Sequence, residues 1–102
     1  LKVISLDPYY HGWPTVTRRS NGDLICVCSG GRESHVCPFG RVEMIVSHDE
    51  GESWSFPQII LDGPIDDRDA GILETSQGTL LATTFTSLAY VPTLEKALEN
   101  PA

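Results

Sequence analysis

Ser47-His48-Asp49-Glu50-Gly51-Glu52-Ser53-Trp54 fits the pattern Ser-x-Asp-x-Gly-x-x-Trp, and each fixed position suits a tight turn between two strands. A Ser hydroxyl and an Asp carboxylate can hydrogen-bond the turn's own amides. Gly accepts the positive φ that other residues resist, and Trp can fold back to bury an apolar face against the hairpin. The octet therefore predicts a hairpin turn with Trp54 largely buried and Asp49 bonded to backbone amides. Ser47, Asp49, Gly51 and Trp54 are structural on this reading, and His48 and Glu50 are solvated turn positions.

Outward from the octet, Arg41 to Val46 alternates as a half-buried strand and Phe56 to Leu61 returns. Upstream, Thr15 to Arg19 and Leu24 to Cys28 are joined by the hairpin signal Ser20-Asn21-Gly22-Asp23, and a long loop spans Ser29 to Gly40. Lys2 to Leu6 reads as a short leading strand ended by Asp7-Pro8. After Asp62-Gly63-Pro64 a new hairpin runs from Ala70 to Thr75, through Ser76-Gln77-Gly78, into Thr79 to Phe85. Thr93 to Glu99 reads as a short helix with Leu94 and Leu98 on one side. The two hairpins repeat each other at a constant offset: Ser20 meets Ser76, Gly22 meets Gly78 and Leu24 meets Leu80. A four-stranded unit followed by the first half of another is the signature of propeller blades. The expectation is an all-β chain with one antiparallel blade at about 14–61, the start of a second at about 70–87, and a helical insertion at about 93–99. A closed propeller needs at least about four blades, so residues 1–102 are expected to be a piece of a larger domain, starting at a trimmed or processed Leu1.

Composition excludes some partners. A formal charge of −7 and a pI near 4.7 argue against nucleic acid or an anionic membrane, which call for clustered Lys and Arg. No apolar run approaches the ~20 residues of a membrane span, and no basic-then-apolar signal pattern opens the chain. Three cysteines exclude a complete disulfide framework. Cys26 and Cys28 alternate with Ile25 and Val27 on one face of a strand and read as small core residues. Cys26, Cys28, His35 and Cys37 as a zinc site is the sharper alternative, disfavoured because structural zinc ligands are spaced more widely, on turns. No metal or cofactor is expected.

Topology separates the two ends of such a unit. The Asn21-Gly22 hairpin and the octet share one end, with short stereotyped turns. The segment before the first strand, the Ser29–Gly40 loop and the Asp62–Asp69 link share the other. That second end gathers Tyr9, Tyr10, His11, Trp13, Arg32, Glu33, His35, Asp66, Asp67, Arg68 and Asp69. Aromatic faces for ring C–H groups and charged forks for hydroxyls and carboxylates would suit a sugar.

The octet resembles the Asp-box, or bacterial neuraminidase repeat, of the six-bladed sialidase-like β-propellers, with Ser53 where Thr is usual. Gly31-Arg32 followed at a distance by the box resembles the segment that begins the acid-bearing loop in that family. The resemblance covers His11 to Ser87 and implies an N-terminal fragment of a sialidase-like glycoside hydrolase, exo-acting on sialic acid or another acidic sugar. In that family an Arg triad grips the substrate carboxylate, a Tyr–Glu pair supplies the nucleophile, and an Asp on the first long loop is the general acid/base. Two departures stand out. The Arg-Ile-Pro motif appears here as Gly12-Trp13-Pro14, and His35-Val36-Cys37 occupies the region of the acid/base Asp, with no carboxylate between Glu33 and Glu43.

The roles expected from this reading are Arg32 and Arg68 for an acidic or polyhydroxylated sugar, and His35 or His11 for proton transfer. Asp67 and Asp69 would orient those arginines or bind hydroxyls, and Trp13 and Tyr10 would contact the ring. Asp67-Arg68-Asp69 as a self-satisfied surface ion cluster is the bland alternative. Two other functions fit the same pattern: a non-catalytic glycan-binding propeller, and a propeller polysaccharide lyase using His and Tyr. The nucleophile and the remaining blades lie outside this sequence.

Overall fold

A computed structural model describes residues 2–5 and 8–99. The chain is mostly β. The described residues form β1 (Tyr10–Arg18), β2 (Leu24–Arg32), β3 (Arg41–Ser47), β4 (Gln58–Leu61), β5 (Asp67–Glu74), β6 (Leu80–Thr86) and α1 (Val91–Glu99). The first four make one antiparallel sheet in chain order, and β5–β6 make a separate two-stranded sheet.

Side-chain alternation builds the core. In β2, Ile25, Val27 and Ser29 point to one face, and register places them opposite Val46, Met44 and Val42 of β3. Val27, Val42 and Ala70 of β5 form the buried cluster, with Met44 and Ile72 packed against it. β5 thus lies over the inner face of the first sheet. The other face carries Cys26, Cys28, Glu43 and Ile45, which with Ile4 and Pro57 line a cavity. Cys26 and Cys37 are buried and no cysteine is disulfide-bonded; burial pushes the Cys26 thiol up.

The octet turns the chain between β3 and β4. Ser47 Oγ donates to Asp49 Oδ1 at 2.9 Å and accepts from the Gly51 amide at 2.8 Å. The Ser53 amide donates to Asp49 Oδ1 at 2.8 Å, and Trp54 Nε1 donates to the Gly51 carbonyl at 3.0 Å. Gly51 has φ 84°, the left-handed region that favours glycine. Trp54 is half-buried rather than largely buried, because its ring closes over its own turn and borders an open cavity.

The repeat is visible in the backbone. Arg19 N donates to Asp23 O at 2.7 Å and Gly22 N to Arg19 O at 2.9 Å. Thr75 N to Thr79 O at 2.8 Å and Gly78 N to Thr75 O at 3.0 Å are their counterparts. The two turns are also clamped together: Arg19 Nε donates to Glu74 Oε2 at 2.8 Å and Arg19 Nη2 to Gly78 O at 2.9 Å.

Several boundaries differ from the sequence reading. Lys2–Ser5 form no strand, and Lys2 Nζ reaches across to the Glu52 carbonyl and carboxylate; Leu1, Leu6, Asp7 and the residues from Asn100 onward lie outside the described residues. β1 begins at Tyr10, ahead of the expected Thr15, because irregular pairing extends it past Pro14. β2 continues through Arg32, which shortens the following loop to residues 33–40. No helix among the described residues is long and apolar enough to cross a membrane.

Candidate functional site

The end of the molecule opposite the octet is built from the start of β1, the end of β2, loop 33–40 and the link into β5. Arg32 pairs with Tyr10 across β1–β2, whereas Leu24 at the other end of β2 pairs with Ser47. At about 3.3 Å per residue, Arg32 and the octet stand roughly 26 Å apart along the sheet.

Arg32, expected to face a ligand, is fully enclosed, at 0% exposure. Its guanidinium is taken up within the chain. Nη1 lies 2.6 Å from Asp66 Oδ1, Nε donates to the Ser34 carbonyl at 3.3 Å, and Nη2 donates to the His35 carbonyl. Gly40 allows this: a Cβ there would collide with Arg32 Nη1 and Asp66 Oδ1. Arg68 shares the same carboxylate, with Nε and Nη2 each 2.8 Å from Asp66 Oδ2, and its side chain is only 12% exposed. Asp66 is itself 0% exposed. Burial pushes its carboxyl up, but hydrogen bonds and charge from Arg32 and Arg68 outweigh that and hold it below the ordinary range.

Asp66 is therefore the acid that orients the two arginines, a role the sequence reading gave to Asp67 and Asp69. The missed signal was alternation: Asp66 and Arg68 are two apart along an extended segment and share a side. Asp67 points elsewhere, accepting from Thr86 Oγ1 at 2.7 Å and from the Gly63 amide, and is buried. Asp69 is exposed; its amide donates to the buried Ser29 hydroxyl at 2.9 Å.

Above this frame stands an aromatic group. Trp13 and His35 have ring centroids 5.0 Å apart at 59°, and Tyr10 lies 6.0 Å from Trp13 at 50°. Arg32 Cζ sits 5.9 Å from the Trp13 ring centroid, a cation–π contact from beneath. Trp13 and Tyr10 remain 38% and 45% exposed, and His35 is exposed as well. His11 is not part of this group. It lines the cavity on the outer face of the sheet with Cys26 and Cys28, and its Nδ1 lies 2.7 Å from the Tyr9 carbonyl. Among the described residues no group of three or more His, Cys, Asp or Glu is placed to hold a metal ion.

No family model matches the chain, and no curated protein matches it. A crystal structure of a protein of unknown function from Dyadobacter fermentans DSM 18053 is similar, with a TM-score of 0.70 and 21% identity over 82% of this chain. The chain spans about a quarter of that protein's length, 26%. At that identity the likeness concerns the fold.

Proposed function

We propose that this chain is part of a sialidase-like β-propeller that hydrolyses glycans, and that its open end forms part of the sugar site. The observation that supports this most is the exposed group of Tyr10, Trp13 and His35 standing over the buried Arg32–Asp66–Arg68 frame. Exposed aromatic faces held on a rigid base match the C–H faces of a pyranose ring. In this reading the four-stranded sheet is one blade and β5–β6 opens the next, as the repeated hairpins suggest.

Within the site Trp13 supplies the stacking surface, Tyr10 and Asp69 meet hydroxyls, and His35 transfers the proton. Arg32 acts as a positioning residue: by bonding the Ser34 and His35 carbonyls it sets the loop that presents the imidazole. A protonated imidazole can give its proton to the leaving oxygen as the glycosidic C–O bond breaks. Water then adds its oxygen to the anomeric carbon and returns one proton to the imidazole, which completes the released sugar.

The test uses the intact parent protein. His35→Ala should lower kcat on an aryl glycoside about 100-fold with little change in KM, as for a group that acts in the transition state. Unchanged kcat would remove His35 from the mechanism. A non-catalytic glycan-binding module is the second reading, favoured because loop 33–40 brings no carboxylate beyond Glu33 to the site. Binding without turnover by the wild-type protein would select it.

A further inference from the structure

We propose that the open end selects a neutral, polyhydroxylated sugar ring, one without carboxylate or sulfate, with Trp13 under its apolar face and Asp69 accepting its hydroxyls. This rests on reading that end as a glycan site, and it reverses the acidic sugar that the sequence resemblance implies.

The first argument is charge. A guanidinium recognises an anionic sugar only if its fork is free. Here Arg32, at 0% exposure, is taken up by Asp66 and the Ser34 and His35 carbonyls, and Arg68 is ion-paired to the same Asp66 with its side chain only 12% exposed. Arg41, the other arginine near this end, lies 3.7 Å from Glu43 and lines a cavity on the outer face of the sheet. Against these two enclosed cations stand Asp62, Asp66, Asp67, Asp69 and Glu33, so the end is net negative. Glu33, Asp62 and Asp69 are its exposed carboxylates. A carboxylate or sulfate brought to Trp13 would meet like charge.

The second argument is geometry. Trp13 and Asp69 have φ 53° and 50°, the left-handed region that non-glycine residues rarely adopt. Each sits at a break in strand register, between Gly12 and Thr15 in β1 and between Arg68 and Gly71 in β5. Ser29 joins the two places: its Cα pairs with Gly12, and its buried hydroxyl accepts the Asp69 amide at 2.9 Å. The Asp69 carboxylate is exposed and accepts no hydrogen bond from another described residue, whereas Asp66 and Asp67 are both buried and engaged. An aromatic platform and an exposed carboxylate, on backbone segments that both meet the buried Ser29, fit a ring presenting one apolar face and adjacent hydroxyls.

The experiment is calorimetric titration of the intact parent protein with a set of methyl hexosides and the matching methyl hexuronides. The neutral sugar should bind at least about tenfold more tightly than its uronide, since like-charge juxtaposition costs affinity. Asp69→Asn should bring that ratio toward one, and asparagine tolerates the left-handed backbone, so the fold is kept. Trp13→Ala should weaken both sugars together. A preference for the uronide that Arg68→Ala removes would overturn this inference while leaving the glycan site standing. Failure of every sugar to bind would overturn both.

Discussion

Trp13 and Asp69 adopt the same left-handed backbone, φ 53° and 50°, at the same offset that aligns Gly22 with Gly78. The pairing is equivalent too: Gly12 lies opposite Ser29, and Arg68 lies opposite Phe85. Two successive hairpins thus repeat a strained kink that turns one side chain out at the open end.

If that kink is held by its surroundings, Asp69→Gly should leave the melting temperature of the protein equal to or above wild type. Asp69→Ala should lie below Asp69→Gly by about 1 kcal/mol, because only glycine enters this region without a Cβ penalty. Equal melts for the two variants would show that the position is unstrained.

Asp66 neutralises two guanidinia in an enclosed site, so Asp66→Asn should destabilise by about 3–5 kcal/mol, the range for breaking a buried pair. Gly40→Ala should act in the same direction, since its methyl would displace the Arg32–Asp66 contact. Chemical denaturation of the protein measures both, and a change under about 0.5 kcal/mol for Asp66→Asn would mean the frame is solvated.

The octet gives a pH signature. Hydrogen bonds from the Ser53 side chain, the Ser53 amide and Ser47 hold the Asp49 carboxyl down to about 2, below its ordinary 3.8. A depressed carboxyl contributes stability that is present above the ordinary value and is lost as pH falls from about 4 toward about 2. Asp49→Asn should flatten that acid limb in melts taken across this window. An unaltered limb would place the loss on other carboxylates.

The Arg19–Glu74 clamp ties the two hairpin turns together. Ser20 Oγ also donates to Glu74 Oε1 at 2.7 Å, and bonds from Ser20 and then Arg19 hold the Glu74 carboxyl below its ordinary range. Glu74→Ala should speed amide exchange at Ser20, whose N–H points at that carboxylate, while the β2–β3 amides keep their protection. Unchanged exchange at Ser20 would show that the hairpins hold without it.

Local chemistry is legible in the sequence alone. The Ser47–Trp54 turn forms because every hydrogen bond it needs is supplied within the octet or one residue beyond it. The Asn21-Gly22 and Gln77-Gly78 turns follow from positive-φ glycines between alternating runs. Strand order follows from those turns. The state of the charged residues does not, because it depends on contacts between distant segments. Whether Arg32 meets solvent or Asp66 is settled by the packing of β5 over the first sheet and by a Cβ missing at Gly40. Residue type likewise groups His11 with His35, but the irregular pairing of β1 sends His11 to the outer cavity while Trp13 meets His35. Turns are written in neighbouring residues, whereas burial and ion pairing arise only when segments far apart in the chain come together.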